Sequence, residues 1–172
     1  IRKVWASLYS LKGYSIRQRY SVDESKAVMG VVVHRPFSDE VANGVAVTQL
    51  SSENWRPSRI ITMSTGFPGD LAVTNPPNGK LPETVRLDWE DDYDKVRYLV
   101  YSTEVPVGQH PLSAAMYEQL GQVTKKVHQY YQPLYAKDPT KYQLDFEWKL
   151  EGKTPATQKI IMKQVRPVPI PE

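Results

Sequence analysis

The 172-residue sequence predicts an α+β fold, a mostly antiparallel sheet with helices packed on it. Apolar residues at helical spacing occur near the start and again after residue 112, and β-branched runs divided by turn residues fill the stretch between. The chain then closes on two alternating segments joined by a polar loop. The strands therefore come in a block, without the one-by-one alternation with helices that makes a doubly wound sheet.

Val4, Leu8 and Leu11 stand three to four apart among basic residues, which predicts a helix over residues 1–20 that breaks at Gly13. AVMGVVVHRPF (27–37) is a β-branched run ended by Pro36, and GVAVTQL (44–50) is a second. With SDEVAN between them they are expected to form a hairpin. SRIITMSTG (Ser58–Gly66) is the next strand, and it runs into GFPGDLAVTNPPNGKLPE, whose breakers leave room only for short extended pieces such as LAVT. TVRLDW and VRYLVYSTEVPV add strands on either side of EDDYD, an acidic turn expected in solvent.

LSAAMYEQLGQVTKKVHQYYQPLY is the clearest helix, with Met116, Leu120, Val123, Val127, Tyr130 or Tyr131, and Leu134 as its apolar stripe. Ser113 is its expected N-cap and Pro133 marks its last turn. Residues 1–167 are expected to form one lobe, and 168–172 a Pro-rich exit linker.

The closing stretch, DFEWKLEGKTPATQKIIMKQVRP, has its own chemistry. Alternation puts Asp145, Glu147 and Lys149 on one side of a strand and Phe146, Trp148 and Leu150 on the other; Met162, Gln164 and Arg166 are expected to share a side of the next strand. If Glu147 faces Gln164, the same register sets Asp145 opposite Arg166 and leaves 152–159 as the loop. Carboxylate and amide oxygens suit Mg²⁺, which is held by few protein ligands together with substrate phosphates, and a forked guanidinium suits a phosphoryl group. From spacing alone, an ordinary solvated sheet face with cross-strand pairs accounts for the same residues, each pair being worth only ~0.2–1 kcal/mol.

Composition sets the outer limits. Hydrophobic residues make up 40 % and charged residues 24 %, the proportions of a soluble globular domain. The net charge of +3 is too slight an excess to imply nucleic acid, although a phosphate site needs only a local cluster. The absence of cysteine excludes disulfides and thiolate metal sites and fits a cytoplasmic location. No apolar run approaches a membrane span and no signal peptide is evident, so no membrane partner is expected. A first residue other than Met, entering directly into a helix, is what a piece of a longer chain would show.

Several stretches together resemble the nucleotide-binding domain of phosphoenolpyruvate synthase and pyruvate phosphate dikinase. VWASLYSLKGYSIRQRY is similar to that family's VWAS helix, and AVMGVVVHRPFSDEVANGVAVT to its strand, loop and following GVAxT strand. GDLAVTNPPNGKLPETV is similar to a segment in which a Gly-containing loop leads to a Val-rich strand, Gly and Pro-Glu, and the closing stretch resembles the terminal DIEW…LQxRP signature. They occur in family order over nearly the whole chain.

The resemblance implies an ATP-grasp-like lobe, of the C-terminal part of that domain, in a phosphotransferase that moves a phosphoryl group from ATP to a carrier histidine on another domain. It implies Glu147 and Gln164 as Mg²⁺ and triphosphate ligands, Asp145 as support for the metal, Arg166 on the phosphates being transferred, and Val32, Val33 and His34 beside the adenine. It also implies partners on the parent chain: an N-terminal ATP-grasp lobe with phosphate-binding Lys and Arg, and a phosphohistidine domain. The 172 residues alone are then expected to be inactive. The other function considered is a non-catalytic module that keeps the fold for nucleotide sensing or subunit contact.

Other motifs have plainer readings. GFPGDL lacks the Lys-Ser or Lys-Thr of a P-loop and reads as a turn. Tyr130, Tyr131, Tyr135 and Tyr142 read as core and rim packing more readily than as a base-stacking platform. His34, His110 and His128 lie outside any Gly- and Thr-rich phosphohistidine loop and read as structural or surface residues.

Overall fold

Strands alternate between inward and outward residues, and that alternation builds the central sheet seen in the computed structural model, which describes residues 1–51, 58–69, 73, 74, 76, 79–89, 96–136, 138 and 140–168. The described residues contain three α-helices and one six-stranded sheet, all of whose pairs are antiparallel, as an α+β fold requires. The strands are β1 (Glu40–Ser51), β2 (Ser58–Gly66), β3 (Glu83–Asp88), β4 (Arg97–Val100), β5 (Leu144–Glu151) and β6 (Lys159–Pro167), in the spatial order β4-β3-β2-β1-β5-β6. The chain divides into two compact units, Ile1–Pro36 and Phe37–Glu172.

The first unit holds helices α1 (Arg2–Ser7) and α2 (Leu11–Arg19) and one 3-10 turn at Glu24–Lys26. The expected break at Gly13 falls instead just before α2. Ser10 is the N-cap, its hydroxyl accepting the Gly13 N–H at 3.1 Å, so Gly13 belongs to the first turn. Arg17 ties the helices together by donating to the Leu8 carbonyl at 2.6 Å and pairing with Glu24 at 2.9 Å.

The expected strand over 27–37 does not form, nor does its hairpin with 44–50. β1 pairs with β2 along one edge and β5 along the other, so it offers no ladder position to a third strand. β-branched composition alone does not make a strand without an edge to pair with.

In the second unit one sheet face and helix α3 (Ala114–Tyr135) enclose the core. Ala46, Ile61, Met63, Val85, Leu87, Phe146 and Trp148 from the strands meet Tyr117 and Leu120 from the helix. The Ser113 hydroxyl accepts the Met116 N–H and caps α3. The buried stripe is Tyr117, Leu120, Gly121, Thr124 and His128, one position round from the apolar residues that predict it; Tyr130 and Leu134 are exposed. Polar partners across the sheet explain the rotation. His128 meets Thr48, while the Tyr117 hydroxyl donates to the fully buried Glu83 carboxylate at 2.8 Å. Burial first, and the Glu83 charge after it, pushes the Tyr117 phenol far above its ordinary range. The other Glu83 oxygen accepts from His110 Nδ1 at 2.7 Å, and the His110 ring stacks on Tyr98 with centroids 4.0 Å apart.

Gly44 is a point of close approach. A Cβ there would lie 2.2 Å from the Ser64 carbonyl oxygen and 2.5 Å from Trp148 Cζ2, so the indole lies across bare backbone. VRYLVYSTEVPV contributes only the four residues of β4. EDDYD, residues 71 and 72 of LAVT, residues 70 and 71 of GFPGDL, and 169–172 of the Pro-rich exit lie outside the described residues. No described helix is long and apolar enough to cross a membrane.

Candidate functional site

The closing hairpin is β5 and β6, in the register the sequence predicts at its functional end: Glu147 faces Gln164 and Asp145 faces Arg166. Phe146, Trp148 and Leu150 are buried, so Asp145, Glu147 and Lys149 stand on the opposite, polar face of the sheet. Beyond Glu147 the register shifts by one. Trp148 pairs with Met162, and Lys163 is the extra residue of a β-bulge. The expectation that Met162 shares the side of Gln164 and Arg166 fails here, because the bulge turns Met162 to the core beside Trp148. Lys159 joins the ladder opposite Glu151, so the loop is 152–158 rather than 152–159, entered at Gly152 with φ of 110°.

Two rows cross the polar face. One runs Thr84, Ser64, Val45, Glu147, Gln164; the next runs Arg86, Thr62, Val47, Asp145, Arg166. Arg166 donates from Nε at 2.7 Å and approaches with Nη2 at 2.6 Å, both to Asp145 Oδ2, which leaves Oδ1 for another partner. Among the described residues Glu147 has one ion pair, with Lys163 Nζ at 3.7 Å, and both side chains are about one-third exposed (35 % and 38 %).

Of these groups Glu147 and Lys163 border a cleft of about 140 Å³, lined also by Asn43, Val45 and Lys149 and by Gly69, Val73 and Thr74 of the loop after β2, whereas Arg166 lines another cavity beside Tyr131, Tyr135 and Tyr142. The cleft beside Glu147 takes a phosphoryl group or a hydrated ion. Asn43 holds the loop side of the cleft, its amide donating to the Gly69 carbonyl at 3.0 Å and to Glu40 at 2.7 Å. Lys149 pairs with the other Glu40 oxygen and lies over the Phe37 ring.

The structure thus brings together Asp145, Glu147, Gln164 and Arg166. Val32, Val33 and His34 belong to the first unit, outside any helix or strand, with Val32 and Val33 largely exposed and His34 Nδ1 2.7 Å from the Arg35 carbonyl oxygen. Sequence reasoning missed Lys163 and Asn43. The signal for Lys163 is a break of parity: Ile160 and Met162 face the core and so does Val165, which a regular strand cannot arrange.

Among the described residues no group of three or more His, Asp or Glu side chains is placed to hold a metal by itself. The donor set fits a cation shared with phosphate oxygens, for which one or two carboxylates suffice. No protein-family model, no curated protein and no solved structure matches the chain.

Proposed function

We propose that this chain is an ATP-grasp-like nucleotide-binding lobe of a phosphotransferase of the phosphoenolpyruvate synthase and pyruvate phosphate dikinase class, working on ATP with Mg²⁺. The observation that carries the reading is the pair of adjacent rows in which Glu147 faces Gln164 and Asp145 faces Arg166, at the register of the terminal signature the chain resembles. Glu147 and Gln164 would hold the metal, with the free Asp145 oxygen in support. When bound, Mg²⁺ supplies charge neutralisation of the triphosphate.

The chain's own residues supply position and charge. Arg166 exchanges half of its contact with Asp145 for a phosphoryl oxygen, and its fixed fork orients the transferred group. The partner lobe that closes over the nucleotide and the domain carrying the acceptor histidine belong, in this reading, to the parent chain.

A second reading, a non-catalytic module for nucleotide sensing or subunit contact, draws on the pairing already present. Asp145 is matched by Arg166, Glu147 by Lys163 and Lys149 by Glu40 without any ligand. Transfer from labelled ATP in the protein that carries this chain separates the two. Glu147→Ala and Arg166→Ala should each lower turnover about a hundredfold or more, the scale of losing one charge-stabilising group. Thermal unfolding should shift little, because exposed ion pairs are worth at most ~1 kcal/mol. Turnover equal to the parent protein's in both variants would overturn the site.

A further inference from the structure

The bulge in β6 changes both faces of the hairpin. On either side of it the strands pair regularly, and the apolar residues Ile160, Met162 and Val165 pack on the core. Besides turning Met162 to the core, it sets an ammonium group on the polar face. In an unbroken strand, position 163 would face the core between two polar-face neighbours; in the bulge its Nζ stands 3.7 Å from Glu147 Oε2, in the wall of the cleft. Exposed pairs at such a distance contribute little to stability, so the placement calls for another explanation.

We propose that Lys163 makes the site take its divalent cation only together with a triphosphate. This rests on the reading of Glu147 as the metal ligand and adds a rule of binding to it. A cation arriving alone must share the Glu147 carboxylate with an ammonium already paired to it, and like charges in one small cleft repel. A triphosphate changes the sign of that interaction. Its oxygens offer Lys163 a better partner than the carboxylate, so the lysine moves onto phosphate and releases Glu147. Lys149 cannot act in its place, since Glu40 holds its ammonium and the side chain is nearly buried. The cleft of about 140 Å³ leaves room for one phosphoryl group, and the two lysines in its wall favour the anionic class of a polyphosphate over a free metal ion.

The test uses the whole protein that carries this chain and reads binding, not turnover. Free Mn²⁺ is titrated by electron paramagnetic resonance, and a non-hydrolysable ATP analogue with Mg²⁺ by calorimetry, in the parent protein and in Lys163→Met, Lys163→Arg and Glu147→Gln. Lys163→Met should tighten Mn²⁺ alone and weaken the Mg²⁺–analogue complex, each by about fivefold or more, the lower end of ordinary site coupling. Lys163→Arg should restore the parent pattern, which a loss of folding would not. If Lys163→Met leaves both affinities unchanged or moves them in the same direction while Glu147→Gln still loses the complex, the inference falls and the metal site stands. If the parent protein binds neither probe, both fall.

Discussion

His128 is a core residue whose burial links the stability of the fold to pH. Thr48 Oγ1 accepts the Leu144 N–H at 2.9 Å, lies 2.8 Å from His128 Nδ1, and donates to the Leu144 carbonyl at 3.5 Å. Edge contacts with Trp89 and Tyr142, at 5.1 and 5.2 Å, surround the ring, and Nε2 has no hydrogen-bond partner among the described residues. Burial, with the Arg59 charge after it, brings the group down to about 4 from the ordinary 6.5. Above 6.5 neither the folded nor the unfolded chain takes the proton. Between 6.5 and 4 the unfolded chain takes it and the folded chain does not, so stability falls as the pH falls through that window. The loss at its lower end is on the order of 3 kcal/mol. Urea midpoints at pH 7 and pH 4.5 should therefore separate more in the parent protein than in His128→Gln. Parallel losses in the two would show that another group drives the acid response.

At the scale of the element, the β5–β6 hairpin was legible because each strand alternates over enough residues to fix its faces, and the loop GKTPATQ cannot pair. The bulge was not, since one inserted residue leaves each half-strand's pattern intact and only the parity between Met162 and Val165 records it. The stretch 27–37 misled for the opposite reason. Its β-branched run satisfies the local rule for a strand, but β1 is already paired on both edges by partners that lie beyond it in sequence. Likewise nothing around Glu83 in LPETV says that it is buried, because its partners Tyr117 and His110 come from elsewhere in the chain. The bulge makes an unusual prediction. Deleting Lys163 would place Met162 next to Gln164 and give regular alternation, with Trp148 still facing Met162 and Glu147 still facing Gln164. Deletion of a residue within a regular strand should flip every side chain beyond it, but this one should leave the melting temperature within about 3 °C, roughly 1 kcal/mol for a domain of this size. Collapse of the fold on that deletion would mean that the extra residue is structural.

At the scale of the whole molecule, the position of the core decides which part of the chain carries the stability. The buried apolar residues that form it run from Ala42 to Leu150, and those packed round them from Val41 to Val165, so within the described chain the core is made by the second unit alone. The sheet is also closed within that unit. β1, at its centre, takes β2 from the residues that follow it and β5 from about a hundred residues on, as in the pair Val47 with Asp145. Such long-range pairing makes the sheet slow to assemble but mutually dependent once formed, since the C-terminal hairpin seals the edge that β2 leaves open. The first unit is held differently, by its Ser10 cap, the Arg17 contacts and helical hydrogen bonds, while Trp5, Tyr9, Leu11 and Tyr14 remain exposed. Elements with few buried contacts open at little cost, whereas a packed sheet unfolds as one. Residues 37–172 expressed without the first 36 should therefore unfold in a single cooperative transition with nearly the urea midpoint of the 172-residue chain, followed by the fluorescence of Trp89 and Trp148. A broad, low transition in the shortened chain would show that the helical unit supplies stability to the sheet and that the two do not fold as separate bodies.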